Sequence, residues 1–437
     1  MATLSTARLG SANTYDNAIR IVTARQAALS ELQENLTSGK RVVRASDDPT
    51  SAAIAERALT RISRIATDQR ALESQRTSIA TTESTLGDVT DALQRFRELV
   101  VSAGNGVHSA AERRTIAQEM QGLRDQVFAL ANTKDQNGLP LFNALGSALT
   151  PFVGPQATAP DYSFNGLPGQ SAASAVTIPF TLDGDNAFMH QPARDQAFNA
   201  IVTNTVDGLI STDRTLTTDN VVMTNQATVS ATAAAAQAVA PPNNVPYPKY
   251  TVAFTAVDTT TVPGTTTATY TTTEVPPVSG VIAAVTVSYP TNTSITVATL
   301  PGLSFNITGT PKVNDTITID SSASVFSVLD DAIRDIGEAG NNNASAQAVS
   351  QALHNIDIGL ARVSNVRGQA GELLNRADRI SGNQEKRSIQ MEENRSRAED
   401  LDMIKGISDF SNQQTGYSAA LQTYAQIQKL SLFNFIS

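Results

Sequence analysis

Adjacent carboxylates at Asp47 and Asp48 are the first residues of this sequence whose type and spacing could do chemistry, as a general acid/base pair. Pro49 follows them, and Asp-Pro is also how helices start: a side-chain acceptor at the cap, then a ring whose fixed φ suits the first helical position. The capping reading is the stronger one, with Asp48 as the cap and Asp47 complementing the helix dipole. Asp183-Gly-Asp185-Asn186 opens like a calcium loop. Such a loop needs a bidentate glutamate at its twelfth position, and Arg194 stands there, so a turn fits better. The chain has no cysteine and three histidines, His108, His190 and His354, in three separate segments. Thiolate nucleophiles, disulfide frameworks, cysteine-bound zinc and iron–sulfur clusters are excluded, and a multi-histidine centre is not expected. His354 lies among helix-seam residues and reads as bundle face, and no serine or carboxylate constellation surrounds His108. No catalytic residue, cofactor or metal is therefore assigned.

The elements that would position any site are mainly helical. A length of 437 residues suggests about three domains. Net charge is −9, which argues against nucleic acid as a partner. Residues 1–150 hold 17 basic and 16 acidic side chains, 151–330 hold 4 and 12, and 331–437 hold 11 and 13. The middle is a different kind of polypeptide: 33 threonines fall in 151–330. There, Thr251-Val-Ala-Phe-Thr-Ala-Val257 and Ser294-Ile-Thr-Val-Ala-Thr-Leu300 alternate as half-buried strands do, and Pro-Pro pairs at 241–242 and 276–277 punctuate them. Residues 231–240, rich in alanine, fit a short helix or a linker equally. No stretch approaches the ~20 apolar residues of a membrane span. Residues 1–21 lack the pattern of a cleaved secretory signal, so none is expected.

Ala58, Ile65, Leu72, Ile79, Leu86, Leu93 and Val100 recur every seventh residue after the Asp48-Pro49 cap. Their companion position is polar early (Arg61, Asp68, Gln75) and apolar late (Val89, Phe96), so the tightest packing is expected in the second half. Gly104-Asn-Gly106 stops this helix, and Ser109-Ala-Ala-Glu112 opens the next with a capping box. That helix has a seam at Ile116, Met120, Leu123, Val127 and Leu130, and Asn137-Gly138 follows as a hairpin turn. Beyond the insert, Phe326, Leu329, Ile333 and Ile336 mark a short helix. Val349 to Ala377 continue as a long one, antiparallel to the second.

Each terminus is one long helix. Tyr15, Ile19, Val22, Leu29 and Leu36 share a stripe with Gln26 and Gln33; Phe410, Tyr417, Leu421 and Tyr424 share another with Gln414 and Gln428. Burying one such side chain contributes about 1.5–3 kcal/mol, against about 1–2 kcal/mol for ordering each residue's backbone. An arm of this kind needs another helix, from the opposite terminus or a neighbouring molecule, and the arms of an isolated monomer are expected to be mobile.

Three blocks then carry a resemblance. Leu36-Thr-Ser-Gly-Lys-Arg41 with Ser46-Asp-Asp-Pro49, Gly309-Thr-Pro-Lys-Val-Asn-Asp-Thr-Ile317, and the C-terminal set Arg362-Val-Ser-Asn-Val-Arg367, Gly371, Asn375-Arg376, Glu399-Asp-Leu-Asp402 and Leu430-Ser-Leu-Phe-Asn-Phe435 resemble the flagellin-like axial proteins of the bacterial flagellum, most closely their hook–filament junction branch. Pro49 favours that branch, because flagellin usually has alanine there; Asn314 departs from the family's usual glycine. Residues 151–300 are not covered. Periodicity and composition give an α+β subunit: an elongated helical bundle (46–150 and 321–399), terminal helical arms (1–45 and 400–437), and an inserted, mainly β region (151–320) of one or two subdomains; the resemblance adds that the arms pair as coiled coils. It implies type III export and an extracellular place at the junction of hook and filament, with no enzymatic activity. The partners implied are its own copies in a ring, a neighbouring hook-associated protein on the hook side, flagellin or its neighbour on the filament side, and a cytoplasmic export chaperone at the C-terminal arm. A flagellin-type filament subunit is the alternative, and a surface adhesin with a β binding domain a more remote one. The arm stripes would be the assembly interface.

Overall fold

A stripe repeating every seven residues stays dry only beneath a partner helix. The computed structural model describes the backbone of residues 4–157, 160–206, 209–210, 214–240, 245–280, 282–291 and 293–436, with side chains within 16–203 and 214–426 of these. Its helical elements begin with α1 (Leu4–Ser38), α2 (Pro49–Ala103) and α3 (Ala110–Ala131). Then come β1 (Phe152–Val153), β2 (Ser163–Phe164), α4 (Gly184–Phe188), α5 (Pro192–Asp195), β3 (Phe198–Val206), β4 (Leu209–Ile210), β5 (Thr217–Thr218), β6 (Val222–Met223) and α6 (Gln226–Gln237). Strands β7 (Lys249–Asp258), β8 (Thr265–Val275), β9 (Val285–Pro290), β10 (Ile295–Val297), β11 (Leu303–Thr308) and β12 (Asp315–Ser321) precede α7 (Val325–Gly337), α8 (Asn342–Glu399) and α9 (Met403–Ile436). The fold is α+β. It divides into two compact units, residues 1–71 with 379–437, and residues 72–378.

In the unit 72–378, α8 covers the α2 stripe and runs antiparallel to it. Val349 packs on Gly104, Arg97 pairs with Asp357 at 2.8 Å, Arg367 with Glu83 at 2.7 Å, and Arg76 with Asp378 at 3.3 Å. Leu72, Ile79, Leu86, Leu93 and Val100 are buried, with Gln75, Thr82, Val89 and Phe96 between them. The polar members are satisfied: Thr82 Oγ1 donates back to Ser78 O at 2.8 Å, and Gln75 Oε1 accepts from Ile178 N at 3.1 Å. Helix α3 packs on α7. Its buried line is Arg113, Ala117, Met120, Val127 and Ala131; Ile116, Leu123 and Leu130 of the expected seam flank it half-buried, because α7 lies one residue round the helix from the position their spacing suggested. The capping box at Ser109 and Glu112 forms as expected. Asn137-Gly138 makes the expected turn, with Lys134 bridged to Pro140 across it.

Aromatic rings weld the segment after α3 to these helices. Phe128, Tyr162, Phe152 and Phe188 all lie 5.2–5.6 Å from the ring of Phe326. Tyr162 donates to Asp330 Oδ2 at 2.6 Å and accepts from Arg124 at 3.1 Å. A strap at 173–182 crosses α2 and α8: Ser78 Oγ donates to Phe180 O at 2.8 Å and Arg376 donates to Ala173 O at 3.3 Å. Asp183 caps α4 by accepting from Asp185 N and Asn186 N, and Arg194 binds Asp195, so the calcium-like run is a helix start instead of a simple turn. No group of three or more candidate metal-binding side chains occurs among the described residues. His354 is exposed, one position off the buried line of Gln351, Ala352, Asn355 and Ile356, which corrects its reading as bundle face.

The inserted sheet is antiparallel in the order β4-β3-β12-β7-β8-β9. A smaller sheet of β10, β11, β5 and β6 shares its core with it, together with α6, which settles the alanine-rich run as a helix capped by Asn225. The Pro-Pro pair at 241–242 lies outside the described residues. Strand β8 alternates, with Thr266, Ala268, Tyr270 and Thr272 inward and Thr265, Thr267, Thr269, Thr271 and Thr273 on the other face. At the turn into β12, Asn314 has φ +73°, a conformation that asparagine tolerates and glycine takes freely, which explains how it stands in for the glycine of the resembling motif.

Strand β3 would be left with bare backbone at Phe198, Ala200 and Val202, since β4 covers just its far end. Polar side chains of α8 seal it. Gln347 Nε2 donates to Ala200 O at 2.7 Å, Gln351 Oε1 accepts from Ala200 N at 3.3 Å, and Asn355 Nδ2 donates to Phe198 O at 2.9 Å. Arg214 adds Val202 O at 3.2 Å and binds Gln347 Oε1. The four-residue helix repeat of about 6 Å nearly matches the two-residue strand repeat of about 6.6 Å, which is what lets one helix face serve a strand edge.

Gln351→Leu leaves Ala200 N buried and unpaired, and should lower unfolding free energy by about 1–3 kcal/mol in denaturant titration, more than Gln369→Leu on the exposed face of the same helix. His190 sits where the chain crosses between bundle and insert, its backbone N–H donating to Ala323 O at 2.8 Å and its ring buried. Burial pushes its imidazole down to about 4. The unfolded chain then takes up a proton near pH 6.5 that the folded one refuses until about 4, so stability should fall as pH drops through that window, by roughly 3 kcal/mol. Melting temperatures of His190→Gln should depend less on pH between 7 and 5 than those of the parent.

Candidate assembly interface

The Asp47-Asp48 pair and the residues around it close the loop between α1 and α2, in the unit 1–71 with 379–437. Gly39 has φ +69° and turns the chain out of α1. Arg41 N and Val42 N then donate to Glu399 O at 2.7 and 3.3 Å, and Leu401 N donates to Gly39 O at 2.9 Å, so the α1–α2 and α8–α9 connections pair as a short antiparallel bridge. Lys40 pairs with Glu399. The Arg41 guanidinium reaches Asp48 Oδ2 at 3.3 Å, Ser51 Oγ at 3.1 Å and Ala398 O at 2.9 Å, tying the start of α2 to the end of α8.

Asp48 is the cap that its sequence suggested. Its Oδ1 accepts from Ser51 N at 3.1 Å and Thr50 Oγ1 at 2.6 Å, with Pro49 as the first helical residue. Hydrogen bonds from Ser51 and Thr50 hold the carboxyl well below the usual carboxylate range. Asp47 turns its Oδ2 backward, accepting from Arg44 N at 2.7 Å and Val43 N at 3.2 Å, and the Arg44 bond lowers its proton affinity. Both carboxylates are spent on backbone N–H groups.

Beyond the bridge, α1 and α9 pair antiparallel. Leu36 lies against Gly406, and the Arg25 guanidinium fills the space beside Gly416 where a Cβ would stand. Val22, Leu29 and Leu36 are half-buried in this seam, and their companions are Ala18, Arg25 and Leu32. From α9 come Phe410, Tyr417 and Tyr424, half-buried, with Gly406, Gln413 and Ala420 between them. Each arm therefore has the opposite terminus as its partner helix.

Other stripe residues stay outside this seam. Ile19 is 37% exposed and Leu421 40% exposed; Gln26, Gln33 and Gln414 are exposed beside them. The side chains of Tyr15 and Gln428 lie outside the described residues. Grouping Ile19 with Val22 placed the glutamines in the seam, whereas the heptad inside the chain runs 18, 22, 25, 29, 32, 36 and leaves them on a neighbouring line. Sequence reasoning also passed over Ile21, 52% exposed, and the run Met403, Ile404 and Ile407, all exposed. Large apolar residues at non-seam helix positions were the signal that could have found them.

This geometry has relatives. The bacterial flagellin N-terminal helical region matches residues 11–146, and the bacterial flagellin C-terminal helical region matches residues 353–436. Flagellar hook-associated protein 3 of Escherichia coli (strain K12) is 32% identical over 195 residues, 44% of this chain and 57% of that protein. Flagellar filament core protein flaB2 of Brachyspira hyodysenteriae is 37% identical over 123 residues, 28% of this chain and 43% of that protein. The chain thus spans about half the length of these two curated relatives, 57% of the first and 43% of the second. In fold it is similar to the flagellar junction protein FlgL from Legionella pneumophila, with a TM-score of 0.54 and 24% identity over 74% of this chain and 98% of that one.

If the Asp48 carboxyl works as a cap, Asp48→Asn should keep slow amide exchange at Ser51 and the first turn of α2, while Asp48→Ala should speed it. Acid should mimic the alanine: a carboxyl held low in the folded state supports that state above the unfolded value near 3.8, and the support is lost as pH falls below it.

Proposed function

Because the chain belongs to the bacterial flagellin family, carrying that family's N-terminal and C-terminal helical regions at its two ends, we propose that it is a structural axial protein of the flagellum that joins hook to filament by coiled-coil self-assembly. The α1/α9 pair carries this reading. Two long helices dry one seam between themselves and still leave Ile19, Leu421 and their glutamine neighbours in water. A continuous apolar line on a helix surface can bury itself against unlike neighbours, because burial is not directional. That is what a subunit between two different polymers requires.

In this reading residues 1–45 and 400–437 are the polymerising arms, 46–150 and 321–399 the bundle, and 151–320 the inserted β region. The molecule performs no catalysis: its paired carboxylates are structural. It is exported and works outside the cell, in a ring of its own copies, with a hook-associated neighbour toward the hook and flagellin toward the filament. A cytoplasmic chaperone holds the C-terminal arm before export. A filament subunit is the second reading, favoured by the 37% identity to a filament core protein. The match to hook-associated protein 3 extends over more of the chain, 44% against 28%, and supports the junction more strongly.

A deletion strain tests the choice: the junction reading expects hooks without attached filaments and flagellin lost to the medium, whereas loss of the filament protein itself would leave no flagellin there. Leu421→Asp and Ile19→Asp probe the mechanism, since both side chains are already partly in water and the core seams are untouched. Each variant should be exported and melt like the parent yet fail to hold filaments, because a carboxylate buried without a partner at the subunit contact costs several kcal/mol. Normal swimming of both would show that this face is not where assembly occurs.

A further inference from the structure

Asn-Gly pairs occur three times in the chain, at 105–106, 137–138 and 165–166. Asparagine is a thermolabile residue, and it reacts fastest before glycine: with no Cβ in the way, the next backbone nitrogen can reach the side-chain Cγ. The structure treats the three pairs differently. Asn105 and Gly106 lie exposed in the connection between α2 and α3, beside Val107, which is 87% exposed. Asn105 Oδ1 accepts from Val107 N at 3.3 Å, an Asx turn that folds the side-chain amide back over Gly106. The Gly106 N–H has no hydrogen-bond partner among the described residues.

The other two pairs are held. Asn137 Nδ2 donates to Asp135 Oδ2 at 3.4 Å, and Gly138 N, the atom that would attack, donates to Asp135 O at 3.0 Å. Asn165 N donates to Pro151 O at 2.7 Å and Leu167 O accepts from Leu145 N at 3.0 Å, so the backbone is pinned on both sides of Gly166, and the Phe164 ring packs against that glycine. We propose that Asn105 is a site of self-modification, converting to aspartate and its β-linked isomer while Asn137 and Asn165 are spared. Gly106 N gives its proton to hydroxide and bonds to Asn105 Cγ; the side-chain nitrogen leaves as ammonia, taking a proton from water, and a cyclic imide remains. Water then opens the imide at either carbonyl, and nothing is oxidised or reduced. Both products place a carboxylate at the C-terminal end of α2, where free carbonyls already disfavour negative charge. The β-linked isomer also lengthens the main chain by one carbon inside the turn that His108 N closes on Asn105 O at 3.0 Å. That shifts Gly106 O away from Asn342 Nδ2, its donor at 3.2 Å at the start of α8. Modification therefore loosens the end of the α2/α8 seam, where Val349 packs on Gly104.

The test is peptide mapping by mass spectrometry of the full-length protein aged in mildly alkaline buffer, reading the gain of one dalton at each asparagine. Asn105 is the only asparagine of the tryptic peptide 98–113, so its conversion is read without ambiguity. The same incubation in denaturant gives the rate of each pair without the fold. In the folded protein Asn105 should keep most of its unfolded rate, while Asn137 and Asn165 slow by about tenfold or more, the factor that one retained hydrogen bond supplies. Asn105 slowed as much as the other two, or either of them converting faster, would overturn the proposal. Gly106→Ala checks the route: its Cβ would meet Asn342 Nδ2 at 3.6 Å, an ordinary contact, so the fold stands while the methyl group hinders the attacking nitrogen. Conversion at Asn105 should be largely lost in that variant, and unchanged conversion would refute attack by Gly106. Aged parent should show faster amide exchange at Gly104 and Asn105, whose N–H groups close the last turn of α2, and a lower melting temperature than Gly106→Ala aged beside it. A fully converted parent that melts and exchanges like fresh protein would refute the loosening of the seam.

Discussion

A heptad stripe on α2 stays dry only while α8 runs beside it in the opposite direction, and the other parts of the unit 72–378 are attached to that seam. From Leu72 to Val100 the stripe is buried at every seventh residue. Its companion line changes from glutamine and threonine to valine and phenylalanine along the way, and the polar members find backbone partners instead of water. Gln75 holds Ile178 of the strap and Ser78 holds Phe180, so the same helix face that packs α8 also fastens the segment leading into the insert. Loss of the seam would release the strap, the aromatic cluster and the sheet edge together.

Polar side chains do the joining where apolar ones could not. A sheet edge exposes N–H and C=O groups, and a helix with an all-apolar face would bury them unpaired at a cost of about 1–3 kcal/mol for each. Gln347, Gln351 and Asn355 remove that cost by presenting amides at one-turn intervals to Phe198 and Ala200. The bridge at Arg41 and Glu399 does the same for the arms, replacing what would be two loose loops by backbone pairing and a guanidinium that spans both connections.

The arms show the opposite balance. Their shared seam is narrow and includes Arg25, Gln413 and Gly406 in place of large apolar residues, while isoleucines and a leucine stand on the outer faces. Apolar area left in water on a helix pair gains free energy when another molecule covers it. A protein built only to fold would place those side chains inward. Placing them outward on both sides of the pair is the physical basis for reading the arms as surfaces made for neighbours.

The sequence by itself determined whatever depends on neighbours within a few turns of chain. Its seven-residue period set the α2 stripe; Asp48-Pro49 and Ser109 with Glu112 set helix starts; the change to threonine-rich alternation set the insert. Tertiary structure decided what depends on direction around a helix. Ideal helices drift about 20° per heptad, so Val22 alone could not say whether Ala18 or Ile19 completes its seam, and the approach of α9 chose Ala18. The same cause moved the α3 core from Ile116 to Ala117 and turned His354 outward. Gln347, Gln351 and Asn355 read as ordinary polar helix residues until β3, some 150 positions earlier, brought its bare edge against them. A side chain's partner across such a distance is fixed by the packing of whole elements, and no local pattern encodes it.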